Sequence, residues 1–184
     1  EALIVDGHVH RAATALEEMT AKLLSGLPGG VPAVGFVNEG KLAPSPGQRA
    51  EPARVALLER WLMAGVELGN HTYSHPDLHR VPLDSFEANV VQGEEVTLRL
   101  VSAGGRRLRY FRHPFLHTGR DLATKRGFEA FLSARGYTIA PVTHDNAEWI
   151  FARAYANAGN RGDRAAMRTI AGAYVPYMDA KFDY

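Results

Sequence analysis

Five short apolar runs, each stopping at a polar or charged residue, limit what this chain can fold into. Ala2-Leu3-Ile4-Val5 ends at Asp6, the run from Val31 to Val37 ends at Asn38, and Val66-Glu67-Leu68 leads to Gly69-Asn70-His71. Leu108-Arg109-Tyr110-Phe111 runs into Arg112, and the run from Tyr137 to Thr143 runs into His144-Asp145. Between them lie segments of helical period, the pattern of repeated β-α units around a largely parallel sheet. In such α/β folds the loops at the C-terminal ends of the strands converge and build the site, and the polar residues of this chain gather at those ends.

The helical stripes are readable. Leu16, Met19 and Leu23 form one, and Val55, Leu58 and Leu62 form the next, after Pro52 in a first turn where its missing N–H costs nothing. Phe86, Val90, Val96, Leu100 and Val101 read as a third helix. Leu122, Phe128, Phe131 and Leu132 read as a fourth that stops at Gly136. A final helix is expected from about Asp163, with Met167, Ile170, Tyr174 and Met178 on one side. These stripes are core positions. The stretch Ala43-Pro44-Ser45-Pro46-Gly47 is a surface connection.

A chain of 184 residues that is 46% hydrophobic can bury a core as one soluble domain. Its 21 basic and 20 acidic residues leave a formal charge of +1, too even a field to hold a nucleic-acid backbone. No apolar stretch approaches the roughly 20 residues of a membrane span. The absence of cysteine excludes disulfides and thiol catalysis. Two glycine-containing motifs carry no function: Gly26-Leu27-Pro28-Gly29-Gly30 lacks the lysine and hydroxyl of a phosphate loop, and Arg161-Gly162-Asp163 reads as a turn capping the last helix.

The candidate chemistry begins with His71-Thr72-Tyr73-Ser74-His75, where two imidazoles four positions apart can reach one metal ion from the same side of a turn. Pro76 stops a long helix from running through them, so the pair is expected on a loop. Arg112-His113-Pro114-Phe115 offers a guanidinium that can hold a carboxylate with its planar fork, and Asp145 is the partner expected for it. The alternative for that pair is a structural tie between two loops. Trp149, in Asp145-Asn146-Ala147-Glu148-Trp149, is either a core aromatic or the apolar wall of a groove that stacks on sugar rings.

The order of these motifs resembles that of the polysaccharide deacetylases with NodB homology. That family carries Asp-Asp after its first strand, then His-(Ser/Thr)-x-x-His, Arg-x-Pro-(Phe/Tyr), Asp-x-x-(Asp/Glu)-Trp and a late Leu-x-x-His. Here HTYSH, RHPF and DNAEW match the second, third and fourth motifs, and the stretch from Gly30 to Asn38 looks like the family's second strand. The resemblance covers nearly the whole chain. It implies an α/β fold, a distorted (β/α) barrel, and a metal-dependent hydrolase that removes N-acetyl or O-acetyl groups from an acetylated glycan. By similarity His71 and His75 hold a divalent ion, usually zinc, which can lower the pKa of its water from 15.7 to about 7. Asp6 stands where the family has its base and a further metal ligand. Arg112 orients the base, Asp145 fixes Arg112, the backbone N–H near Phe115 helps stabilise the oxyanion, and Trp149 contacts the sugar.

Two departures stand out. Val5-Asp6-Gly7 supplies one carboxylate where the family has two, so Asp6 reads as the base in one alignment and as the metal ligand in the other. The sequence reaches Tyr184 without a Leu-x-x-His, whose histidine is the family's acid, and the expected barrel is therefore incomplete at its C-terminal end. Two rival functions follow. One is a catalytically impaired, sugar-binding relative of the same fold; the other is an amidohydrolase built on Asp6, His8 and His10, which would need further ligands that the later strand ends do not offer. The family's habit places the protein outside the cytoplasm, with Glu1 just past a removed leader. Which glycan, which metal and which oligomeric state are left open by the sequence.

Overall fold

The computed structural model describes residues 32–183 except Pro44, Pro46, Thr143 and His144, together with helical residues 17, 18, 20–22 and 24–26. The expected first strand, the Leu16-Met19-Leu23 stripe, Asp6, His8, His10 and most of the glycine turn at 26–30 lie outside the described residues. Two compact units are present, one ending at Ala140 and the other Pro141–Tyr184.

The first unit is built on four parallel strands: β1 (Val34–Val37), β2 (Glu67–Asn70), β3 (Tyr110–Phe111) and β4 (Thr138–Ile139). Their spatial order is their chain order, β1-β2-β3-β4. Such an unreversed progression is that of a β/α barrel; a doubly wound sheet reverses its order partway. Among the described residues the sheet is not closed. Helices connect the strands: α1 (Pro52–Met63), then α2 (Leu83–Gln92) and α3 (Glu95–Ala103), then α4 (Leu122–Ala134). Pro52 opens α1, as its missing N–H allows. Beyond the end of α4, Gly136 takes the left-handed φ of 77° that a side chain would strain.

The helices press their stripes on the sheet. Phe86 of α2, Phe111 of β3 and Phe128 of α4 are fully buried, with ring centroids 4.9 to 6.5 Å apart in edge-to-face contact. Leu68, Val90, Val101 and Leu132 belong to the same core cluster. Burial of each such side chain contributes on the order of 1.5–3 kcal/mol. The predicted membership of Leu122 in the core fails, because that residue starts its helix largely exposed.

One predicted helix is two. The stripe from Phe86 to Val101 breaks at Gly93 and Glu94, between α2 and α3. Two causes are visible. The chain at Gly93 passes so close to the loop after β2 that a Cβ there would lie 2.4 Å from the Thr72 carbonyl carbon. In addition, the buried Glu39 carboxylate accepts from the Val96 and Thr97 amides at 2.9 and 2.6 Å, capping the fresh start of α3 from a distant loop.

The second unit is a helical hairpin of α5 (Glu148–Asn160) and α6 (Arg164–Phe182). Asp163 caps α6 by accepting from the Ala166 amide at 2.9 Å, so the Arg-Gly-Asp string is a turn and cap, as expected. Phe151 packs on Tyr174 and Tyr177 with centroids 5.3 and 5.0 Å away. Helix α5 was not among the expected stripes, because Ala152, Ala154, Ala156 and Ala158 favour helix by propensity and leave no apolar period to read.

Candidate active site

Each of the first three strands delivers a polar residue at its C-terminal end, and these residues fasten one loop. Strand β2 ends at Asn70, whose fully buried side chain accepts from the Thr72 amide at 2.7 Å and donates to the Val90 carbonyl and the Tyr137 hydroxyl, both at 3.0 Å. Tyr137 donates in turn to Glu94, which Arg135 also meets. After β1, Asn38 donates to the His71 and Thr72 carbonyls. On the outer side Asn89 accepts from the Tyr73 and Ser74 amides at 3.0 Å each. Buried polar groups of this density are stable only when every member is paired, and the outcome is a fixed loop geometry.

That geometry includes two left-handed, non-glycine residues, Thr72 at φ 68° and His75 at φ 60°. Such backbone costs on the order of 1–3 kcal/mol per residue and persists only where its surroundings impose it. Here the Thr72 hydroxyl accepts from the His75 amide at 3.0 Å and closes the turn. The result brings the expected pair together: the His71 and His75 rings lie 4.8 Å apart, centroid to centroid, at 71°. His71 is buried and His75 is partly open.

The protonation state of His71 follows from its partner. Its Nδ1 lies 2.8 Å from the Arg112 carbonyl oxygen, which can only accept. Nδ1 therefore carries the hydrogen, and Nε2 presents a lone pair. Burial, opposed by that hydrogen bond and assisted by the neighbouring His75, pulls the His71 pKa down to about 4, so the ring is neutral at pH 7. A neutral imidazole fixed through its other nitrogen is the form that ligates metal. The residues present thus fit a divalent ion.

Arg112 contributes more through its backbone than the motif suggests. Its amide donates to the Asn70 carbonyl at 3.1 Å, its own carbonyl fixes His71, and its guanidinium sits 4.5 Å from the Phe36 ring centroid. His113, the unassigned residue of the RHPF motif, is buried in edge contact with Phe111 and Phe128, and burial lowers its pKa to about 4. Phe115 has φ 56° and lays an exposed ring against His75, centroids 4.6 Å apart. Asp145 and Trp149 belong to the second unit. Asp145 is exposed and accepts from the Asn146 amide at 2.9 Å; Trp149 is 59% exposed, which rules out its reading as a core aromatic. Asp6 lies outside the described residues.

Sequence reasoning marked Asn38 and Asn70 as polar strand ends without giving them a role, and missed Asn89. The role of Asn38 and Asn70 could have been found from their place at strand ends, where an asparagine that follows an apolar run either turns the chain or holds the next loop.

A sequential parallel sheet that carries two neighbouring imidazoles at its C-terminal edge defines an α/β protein of the β/α type. The sequence profile described as polysaccharide deacetylase matches residues 8–130, and the chain belongs to that family. A family 4 carbohydrate esterase from Streptomyces lividans, solved with acetate, superposes with a TM-score of 0.53 at 21% identity, over 78% of this chain and 62% of that one. A peptidoglycan deacetylase from Bacillus subtilis gives 0.49 at 21% identity, over 78% and 58%. A pseudoenzyme of the same esterase family from Bacillus anthracis gives 0.48 at 18% identity, over 78% and 43%. The chain therefore spans less than two thirds of the length of these structures. No curated protein sequence matches it.

Proposed function

We propose that this chain removes acetyl groups from an acetylated glycan, with His71 and His75 holding a divalent ion, zinc first among the candidates. The observation that carries this reading is the His71 ring, whose Nδ1–H is committed to the Arg112 carbonyl so that Nε2 keeps its lone pair for a ligand bond, with the His75 ring next to it. When bound, the ion would supply Lewis-acid polarisation of the acyl oxygen and acidification of water. The chain's own residues would do the rest. Asp6 would take the proton from the attacking water or complete the ligand set, the two alternatives its single carboxylate leaves. Arg112 would orient that carboxylate. The exposed Phe115 ring would form one wall beside the ligand pair, its backbone N–H would meet the developing oxyanion, and Trp149 would stack on a sugar face. Family membership supports the deacetylase class over an amidohydrolase built on Asp6, His8 and His10.

Acetate release from acetylated chitooligosaccharides and from peptidoglycan fragments, by the zinc-loaded chain, tests the proposal. Release that falls at least about 100-fold in His71→Ala and His75→Ala, with loss of one zinc per chain in each, is expected. Glycan binding without acetate release would favour the impaired sugar-binding relative, and unchanged zinc content in both variants would contradict the ligand assignment.

A further inference from the structure

A second group of metal-ligating side chains lies just beyond His75 and takes no part in the proposed deacetylation. Asp77, His79 and His117 each offer one ligand atom, and these three atoms lie within 4.8 Å of one another. Among the described residues no other trio of histidine and carboxylate groups meets that condition. His117 Nδ1 lies 2.7 Å from Asp77 Oδ1, and the His79 and His117 rings stack at 3.9 Å between centroids, 3° from parallel.

Both turns that bear these residues are anchored. Leu78, between Asp77 and His79, is buried in the main core, and the Asp77 carbonyl accepts from the Arg80 and Val81 amides at 2.9 and 3.1 Å. Asp77 Oδ1 also accepts from the His79 amide at 2.9 Å. His117 follows a turn in which Pro114 is buried and Phe115 and Leu116 are both left-handed, and its amide donates to the Pro114 carbonyl at 3.1 Å. The Phe115 ring separates the two groups, 4.6 Å from His75 on one side and 5.9 Å from His117 on the other.

We infer that Asp77, His79 and His117 form a second, outer site for a divalent first-row transition ion. Two imidazoles and one carboxylate suit zinc, cobalt or nickel, and water can fill the open positions. Metal–ligand bonds of about 2.0–2.1 Å set donor atoms about 3.3 Å apart in a four-coordinate shell, so closure needs a shift on the order of 1 Å and a turn of the His79 ring out of its stack on His117, because the in-plane lone pairs of parallel rings do not converge. His79 is exposed and free to make it. The Arg80 guanidinium, with Nε 3.3 Å from Asp77 Oδ2, opposes the cation but is 85% exposed and can swing away. The outer ion is therefore held more weakly than an ion at His71 and His75.

The test is zinc stoichiometry on the full chain, stripped with chelator and refilled by equilibrium dialysis against zinc alone, with elemental analysis. The wild type is expected to bind one more zinc per chain than the double variant His79→Ala/His117→Ala, whereas His71→Ala keeps the outer ion. Asp77→Asn should weaken that ion without unfolding the chain, as judged by circular dichroism. Equal zinc content in the wild type and the double variant overturns the outer site, whatever happens at His71. Loss of zinc in His71→Ala alone, with the outer ion retained, reports on the deacetylase reading separately.

Discussion

The chain builds two groups of imidazoles, His71 with His75 and His79 with His117, under opposite conditions. The His71 and His75 loop is held from below by Asn38 and Asn70 and from outside by Asn89, and His71 is 6% exposed with its tautomer set by a backbone carbonyl. Asp77, His79 and His117 sit at the surface, with one strong polar contact between side chains and one stack. Burial with full pairing fixes charge and geometry in advance but makes the ligand pair depend on the core. In the outer group the turns are anchored but the His79 side chain is exposed, which obliges an ion to order that ligand.

The largest expected effect that separates the two is acid sensitivity. His71 and His113 have folded pKa values of about 4 against 6.5 for the free side chain, so the unfolded chain binds more protons between those values. Stability contributed by keeping these rings neutral is full above about pH 6.5 and is lost as pH falls toward 4. In metal-stripped protein each ring should account for about 3 kcal/mol over that window. Urea denaturation across pH 4–7 measures it, and His113→Phe should reduce the slope.

A smaller difference concerns the loop's support. Asn70→Leu leaves the buried Thr72 amide without an acceptor and should cost about 2–4 kcal/mol, together with zinc at the inner pair. His79→Ala should stay within about 0.5 kcal/mol by the same denaturation measurement. Equal costs at the two positions would erase the contrast between a buried support and an exposed side chain.

Much of this was legible in the sequence, for reasons that differ by residue. The strand ends at Asn38, Asn70 and Arg112 could be read because a buried parallel strand is a short apolar run with a polar stop. The His71 and His75 pair was legible from spacing and from Pro76, which keeps the segment in a loop. The break at Gly93 was not, since it arises from close contact with Thr72 and a cap supplied by Glu39, residues distant in sequence. The Arg112 carbonyl that sets the His71 tautomer was invisible for a simpler reason: every residue has a carbonyl, and only the fold selects one. His117 likewise joins Asp77 from 40 positions away, and the sequence reading named none of Asp77, His79 and His117.

The nitrogen-15 NMR spectrum of the His71 imidazole, in metal-stripped protein near pH 6 and again after zinc is added, tests the account most directly. A neutral ring protonated at Nδ1, with an Nε2 signal that moves on zinc addition, is the predicted result. A ring protonated at Nε2, or an Nε2 signal indifferent to zinc, would contradict it.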